Sequence, residues 1–173
     1  MKRLINKFLS LFRSVKLYEF DKTPKNTNNK NFKLHLVKKY KDIKKNESVK
    51  EYFRIFKDKK KRLLKNQNLL ILTNKNKFVS SGWMTSSNNW LISEIDLKIK
   101  TYNSVILFDF YTPAYVRSKG HYTKLLRIIS NKLRKKKLLI YSLSSNQASI
   151  KAIEKAGFTL KKNLNALNIN NDK

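Results

Sequence analysis

The chain carries only three glycines. One of them, Gly120, stands in a basic turn, Tyr-Val-Arg-Ser-Lys-Gly-His-Tyr (residues 115–122), between a strand-like apolar run and a helical pattern. A glycine at such a place lets the backbone turn sharply or be approached closely. The first amides of a helix have no acceptor within it, and that end of its dipole is positive. The turn can therefore hold an anion, a phosphate above all, with Arg117, Lys119 and Lys124 adding charge around it. The plain alternative is an ordinary strand-to-helix connection. A nucleotide-hydrolase phosphate loop is excluded, because Gly120 is followed by His121 and not by Lys-Ser/Thr. One glycine cannot make a dinucleotide-binding fingerprint either.

The other chemistry on offer is that of carboxylates, which are scarce: eleven Asp and Glu against forty Lys and Arg. Glu94 and Asp96 lie in Trp-Leu-Ile-Ser-Glu-Ile-Asp-Leu-Lys-Ile (residues 90–99), on one face of a single strand by alternation. Asp109 interrupts an apolar strand, where a carboxylate is either paired or functional. Each could equally be a solvent-facing residue or a partner for one of the many basic groups. There is no cysteine, which excludes disulfides and thiolate metal sites and fits a reducing compartment. His35 and His121 are too few and too far apart to suggest a metal site, and His121 reads as a turn residue.

The elements that must position these residues follow from periodicity. Residues 1–17 space Leu4, Ile5, Phe8, Leu11, Phe12 and Val15 as an amphipathic basic helix. It could dock on its own domain, lie on a membrane surface or be a targeting segment. Residues 21–31 read as a linker. Phe32 to Val37 alternate as a strand with His35 on the solvent side. Ser48 and Glu51 form a capping box for the next helix, which presents Val49, Tyr52, Phe53, Phe56 and Leu63 on one side and ends in a solvated run, Lys59 to Arg62. Four apolar runs joined by turns then make an antiparallel meander. After Pro113 the period changes. Leu125, Leu126, Ile129 and Leu133 mark a helix, 138–143 a buried strand, 146–157 a helix capped by Asn146 and Gly157, and 158–162 a last strand. The expected class is α/β (α+β): a mixed sheet, an antiparallel meander followed by a parallel strand–helix–strand pair, with helices on both faces. The expected organisation is 1–30 N-terminal helix and linker, 31–162 domain, and 163–173 frayed tail.

On these residues the chain resembles the GNAT superfamily of acyl-CoA-dependent N-acyltransferases. Arg-Ser-Lys-Gly-His-Tyr (117–122) is similar to that family's Arg/Gln-x-x-Gly-x-Gly/Ala turn. Asn146, Ser149, Gly157 and Phe158 are similar to its second signature. The two motifs cover about 105–160, and the resemblance extends over about 32–162. It implies that acetyl-CoA, or another acyl-CoA, lays its pyrophosphate on the amides of Arg117, Ser118, Lys119, Gly120, His121 and Tyr122, with Asn146 and Ser149 nearby. The pantetheine arm would then run along Tyr111 and Thr112, where this strand and residues 138–143 splay apart. A backbone amide near Thr112 would be the oxyanion donor. Tyr122 departs from the family pattern, standing where Gly or Ala is usual. So does Ile153, where many members carry the tyrosine that protonates the thiolate. Tyr111, Tyr115 and Tyr141 are substitutes left open.

The implied reaction is direct attack of an amine on a thioester, which needs a base. Glu94 is the first candidate and Asp109 the second. The acceptor expected is a small amine or amino sugar, before a protein amine, with Trp83, Trp90 and Tyr102 as either an aromatic wall or core. The net charge of +29 supports a competing class: a non-catalytic basic protein with the same fold that binds nucleic acid or an anionic membrane. It is equally read as composition drift, since lysine is abundant in every loop. Not one acidic residue falls between Asp109 and Glu154, which suits a polyanionic ligand there. The expected location is cytoplasmic, with contact at the inner membrane surface through residues 1–17 left open.

Overall fold

The computed structural model describes residues 13–20, 30–44 and 46–165. Among the described residues nine strands, named in chain order, are β1 (Ser14–Phe20), β2 (Phe32–Val37), β3 (Asn68–Asn74), β4 (Lys77–Ser86), β5 (Asn89–Ile92), β6 (Leu97–Lys100), β7 (Ser104–Tyr111), β8 (Lys137–Leu143) and β9 (Phe158–Asn165). The helices are α1 (Tyr40–Ile43), α2 (Glu47–Ile55), α3 (His121–Lys132) and α4 (Gln147–Lys155), with a 3-10 segment over Lys57–Lys65 and a short one over Ala114–Val116. Seven strands form one mixed sheet in the order β2-β3-β4-β7-β8-β1-β9, and β5 and β6 form a separate hairpin. Within the sheet β7 and β8 run parallel, and the other neighbours are antiparallel.

Apolar runs without polar alternation are buried on both faces, and here the two faces take alternate residues. Leu69, Ile71, Ile106, Phe108 and Leu139 pack with Val49, Tyr52, Phe53 and Trp83 on the α2 side. Leu70, Leu72, Leu107, Leu138 and Ile140 pack with Leu125, Leu126, Ile129, Ile150 and Ile153 of α3 and α4 on the other. Burying each such side chain contributes about 1.5–3 kcal/mol, so the sheet is clamped between two helical layers.

Five expectations are corrected. Residues 14–17 belong to a strand and not to the end of a helix. Val15 and Leu17 pack on one face of the sheet and Tyr18 on the other, while Tyr18 Oη donates to Glu154 Oε1 of α4 at 3.1 Å. The rest of the expected N-terminal helix, and residues 21–29 of the linker, lie outside the described residues. At the other end, Asn163 to Asn165, expected in a frayed tail, complete β9. The cap of α2 is Asn46, whose Oδ1 accepts from Val49 N at 3.2 Å. Ser48 instead donates its hydroxyl to the Asn76 carbonyl. His35 is half-buried, not solvent-side, with its ring bonded to Thr73 and Asn46. Finally, residues 90–99 are not one strand: β5 and β6 are joined by a turn over Ser93–Asp96, with Asp96 at φ 51°. β7 consequently pairs directly with β4.

Candidate active site

The site is made where the parallel pair comes apart. β7 and β8 are paired from Ser104↔Lys137 to Leu107↔Ile140, and the pairing stops there. Each strand nevertheless runs on, β7 to Tyr111 held by Ser81 of β4, and β8 to Leu143 held by Val15 of β1. Both walls are supported from behind, so the gap between them stays open. The cause of the divergence is local. Ser81 pairs with Tyr111 and Trp83 with Phe108, leaving Gly82 opposite both Asp109 and Phe110. This is a β-bulge, which bends and twists its strand, and Asp109 adopts φ 50° within it. The Phe110 ring lies against Gly82, where a Cβ would stand 2.3 Å from the ring edge.

A cavity of about 670 Å³ fills the gap, within the range for small-molecule sites. Its far end is the basic turn. Gly120 has φ 72°, with nothing within 4 Å of a would-be Cβ, and Ser118 has φ 61°. The first bond of α3 runs from Lys124 N to the Gly120 carbonyl at 2.9 Å, so the amides of His121, Tyr122 and Thr123 have no acceptor in the helix. Gly120 is thus required by its left-handed backbone, and the space a side chain would enter is open. Arg117 reaches back to donate Nε to the Thr112 carbonyl at 3.0 Å, tying the turn to the end of β7. Thr112 meets Ser80 through its hydroxyl. Asn146 caps α4 by accepting from Ser149 N at 3.1 Å. The Tyr122 ring packs against Phe110 at 4.9 Å with its hydroxyl 3.4 Å from Ser149 Oγ. Burial raises the Tyr122 hydroxyl pKa despite that contact.

All the residues expected at the cofactor line this cavity except Lys119: Tyr111, Thr112, Arg117, Ser118, Gly120, His121, Tyr122, Asn146 and Ser149. Lys124 does not line it, its ammonium lying over the Phe32 ring at 5.2 Å. His121 is 8% exposed, and its Nδ1 is buried without a partner among the described residues. Burial, and then the charge of Lys119, hold its pKa below the ordinary histidine value.

Both candidate bases line the cavity, in different states. Asp109 is clamped: Oδ2 accepts from Lys59 Nζ at 2.6 Å and from Arg62 Nη1 at 2.5 Å. Burial pushes its pKa up, but the two cations outweigh it and hold the carboxyl below the usual range. The run Lys59–Arg62, expected to be a solvated end, therefore has two of its members turned inward to this aspartate. Glu94 sits in the β5–β6 turn, half-buried, accepting only from the Ser93 hydroxyl among the hydrogen bonds of the described residues. Asp96, expected on the same face as Glu94, is exposed and away from the cavity. Of the three tyrosines left open, Tyr141 lines the cavity, with Trp90 Nε1 donating to its hydroxyl at 3.4 Å. Burial, and then the charge of Glu94, push it up to about 12. Tyr111 also lines the cavity and packs against Phe56 and Phe78. Tyr115 is 69% exposed and outside it. Trp83 is core, donating to Tyr52 Oη at 2.8 Å, and Tyr102 is on the surface.

No protein-family model matches the chain, and no curated protein sequence matches it either. Solved structures do. An acetyltransferase of the GNAT family from Colwellia psychrerythraea is 14% identical with a TM-score of 0.53 over 86% of this chain and 53% of its own. A GCN5-related N-acetyltransferase from Sphaerobacter thermophilus is 10% identical, TM-score 0.55, over 94% and 53%. A conserved protein of unknown function from Staphylococcus epidermidis is 9% identical, TM-score 0.57, over 94% and 65%. The chain spans between half and two thirds of the length of these three structures. The fold is that of the GNAT acetyltransferases.

Proposed function

We propose that this protein is an N-acyltransferase that moves an acyl group, acetyl first among them, from acyl-CoA to a primary amine. The observation that carries this reading is the cavity between the splayed strands, lined both by the turn whose helix amides have no acceptor in the helix, with Arg117, and by Glu94. The buried Nδ1 of His121, without a partner among the described residues, supports a polar ligand beside that turn. The turn residues 117–122 would hold the phosphates, and Tyr111 and Thr112 would flank the pantetheine arm. Bound acyl-CoA would supply the thioester.

The chain's own residues divide the remaining work. Glu94 takes the proton from the attacking amine, directly or through a water, as the nitrogen bonds the acyl carbon and the carbon–sulfur bond breaks. The amide at Thr112 faces the charge that develops on the carbonyl oxygen. Tyr141 lines the cavity, and its hydroxyl can hydrogen-bond the departing thiolate, itself a fair leaving group at a pKa of about 8.5. Asp109 is the poorer base, since its ion pairs favour the charged form and weaken its hold on a proton. Its role is to hold the strand bulge through its ion pairs with Lys59 and Arg62.

Calorimetric titration of acetyl-CoA into the protein and into Gly120→Glu, at two salt concentrations, tests the reading. Binding of about one equivalent by the parent at both salts, and none by the variant, is expected. Weak binding to both that vanishes with salt would refute it. That outcome would favour the basic-surface reading, which rests on the exposed Arg134, Lys135 and Lys136, none with an acidic partner among the described residues.

A further inference from the structure

A second cavity, about 460 Å³, opens beside the first. The two share Glu94, Asp109 and Tyr141, so the second begins where the proton transfer of the proposed reaction would occur. Its floor is aromatic: Trp90 and Phe108 lie with ring centres 4.6 Å apart. Its outer wall is the 3-10 segment, which contributes Lys61, Arg62 and Lys65. The charges along it are graded. At the inner end stand the two carboxylates. Asp109 is neutralised there through Oδ2 by Lys59 and Arg62, while Glu94 makes no ion pair among the described residues. At the outer end Lys61 and Lys65 are exposed and have no acidic partner among the described residues. A carboxylate suits an ammonium, two unpaired lysines suit an anion, and aromatic faces suit the body of a ring or an alkyl chain between them.

Resting on the acyltransferase reading, we infer that this cavity is the acceptor site and that the acceptor is a primary amine carrying an anionic group, a phosphate or a carboxylate, remote from its nitrogen. The amine lies toward Glu94 and the anion toward Lys61 and Lys65. Neutral amines fill the inner end only and leave the lysines unmatched.

The test compares each amine with its charged counterpart: 2-aminoethanol with its phosphate ester, and glucosamine with its 6-phosphate and with muramic acid, which carries a carboxylate on the same ring. Thiol release from acetyl-CoA is measured for the parent, for Lys61→Glu/Lys65→Glu, and for Lys135→Glu/Lys136→Glu as an equal change of charge elsewhere. For at least one pair the charged member is expected to have a kcat/KM tenfold or more above the neutral one. The Lys61/Lys65 variant should abolish that advantage through KM and differ from the control pair. The phosphate and carboxylate arms decide which anion is taken. Quenching of tryptophan fluorescence by the same compounds, in parent and Trp90→Phe, reads occupancy without turnover. No preference for the charged member in either measurement, or equal effects of the two lysine pairs, overturns the inference. If acetyl-CoA binds and these preferences are missing, only the acceptor assignment falls. If the preferences appear in fluorescence without acetyl-CoA binding, the site stands and the acyltransferase reading falls.

Discussion

Asp109→Asn separates a structural carboxylate from a catalytic one. The side chains of Asp109, Lys59 and Arg62 are 32%, 17% and 29% exposed, so the cluster is neither fully wet nor dry. A hydrogen bond to a charged group contributes about 1.5–3 kcal/mol when well protected, and an exposed ion pair about 0–1. Two bonds at a site one-third exposed place the loss at about 2 kcal/mol. Asparagine keeps the volume and tolerates the left-handed φ of 50°, so the backbone adds nothing, whereas alanine would add about 1 kcal/mol more. For a chain of this length that is a fall in Tm of about 4–8 °C. The sign with pH follows from the depressed folded pKa. The contribution is full above the unfolded carboxyl value near 3.9 and is lost as pH falls through the lower folded value. Thermal melts of parent, Asp109→Asn, Arg62→Met and the double variant, at neutral pH and again below pH 4, give both coupling and window. Non-additivity of at least 1 kcal/mol at neutral pH, shrinking in acid, is expected. An unchanged Tm, together with turnover that collapses in Asp109→Asn, would refute the clamp and make Asp109 the base.

Glu94→Gln should lower kcat by about 10²- to 10⁴-fold while acetyl-CoA binding, measured by calorimetry, stays as in the parent. Gly82→Ala forces a methyl into the Phe110 ring, a loss of about 1–3 kcal/mol by overpacking; Gly82→Ala/Phe110→Leu should recover part of it in a denaturant melt. His35 and His121 both have pKa values held low, chiefly by burial, so the unfolded chain takes up protons first as pH drops below about 6.5. Stability should therefore decline between pH 7 and 5, above the range where the depressed carboxylates act, and His121→Phe should flatten that slope in melts across the range.

The parts of the fold written in short-range pattern were legible. Gly120, the inner face Leu125, Leu126 and Ile129, and the Asn146 cap each depend on neighbours within a few residues. The parts that depend on distant partners were not. Ser14–Phe20 breaks its polar alternation at Leu17–Tyr18, where its pairing with β9 shifts register, and its Val15 also fits the helical spacing running through residues 4–15. Ser93–Asp96 turns without glycine or proline, the left-handed step falling to Asp96, so residues 90–99 scan as one strand. Ser48 and Glu51 satisfy the capping pattern as well as Asn46 does, and only the distant Asn76 carbonyl draws Ser48 away. Lys59 and Arg62 look like solvent charges until Asp109, 50 and 47 positions on, is brought beside them. The second cavity is invisible for the same reason, since its walls come from four separate stretches.

The placing of β1 bears on how the protein is made. β2, β3, β4 and β7 meet in near-sequential order and can assemble as the chain emerges. β1 cannot: its neighbours are β8 and β9, and Tyr18 and Glu154, which touch, are 136 positions apart. Contacts that long slow folding, because the loop must close before they can form. β1 thus waits for β8 and β9, and a nascent chain lacking those two has only β2, β3, β4 and β7 of the sheet, with a bare edge at β7. The two walls of the cleft belong to these two halves. The cavity that would take acyl-CoA therefore comes into being only late in folding, when β8, held by β1, joins β7.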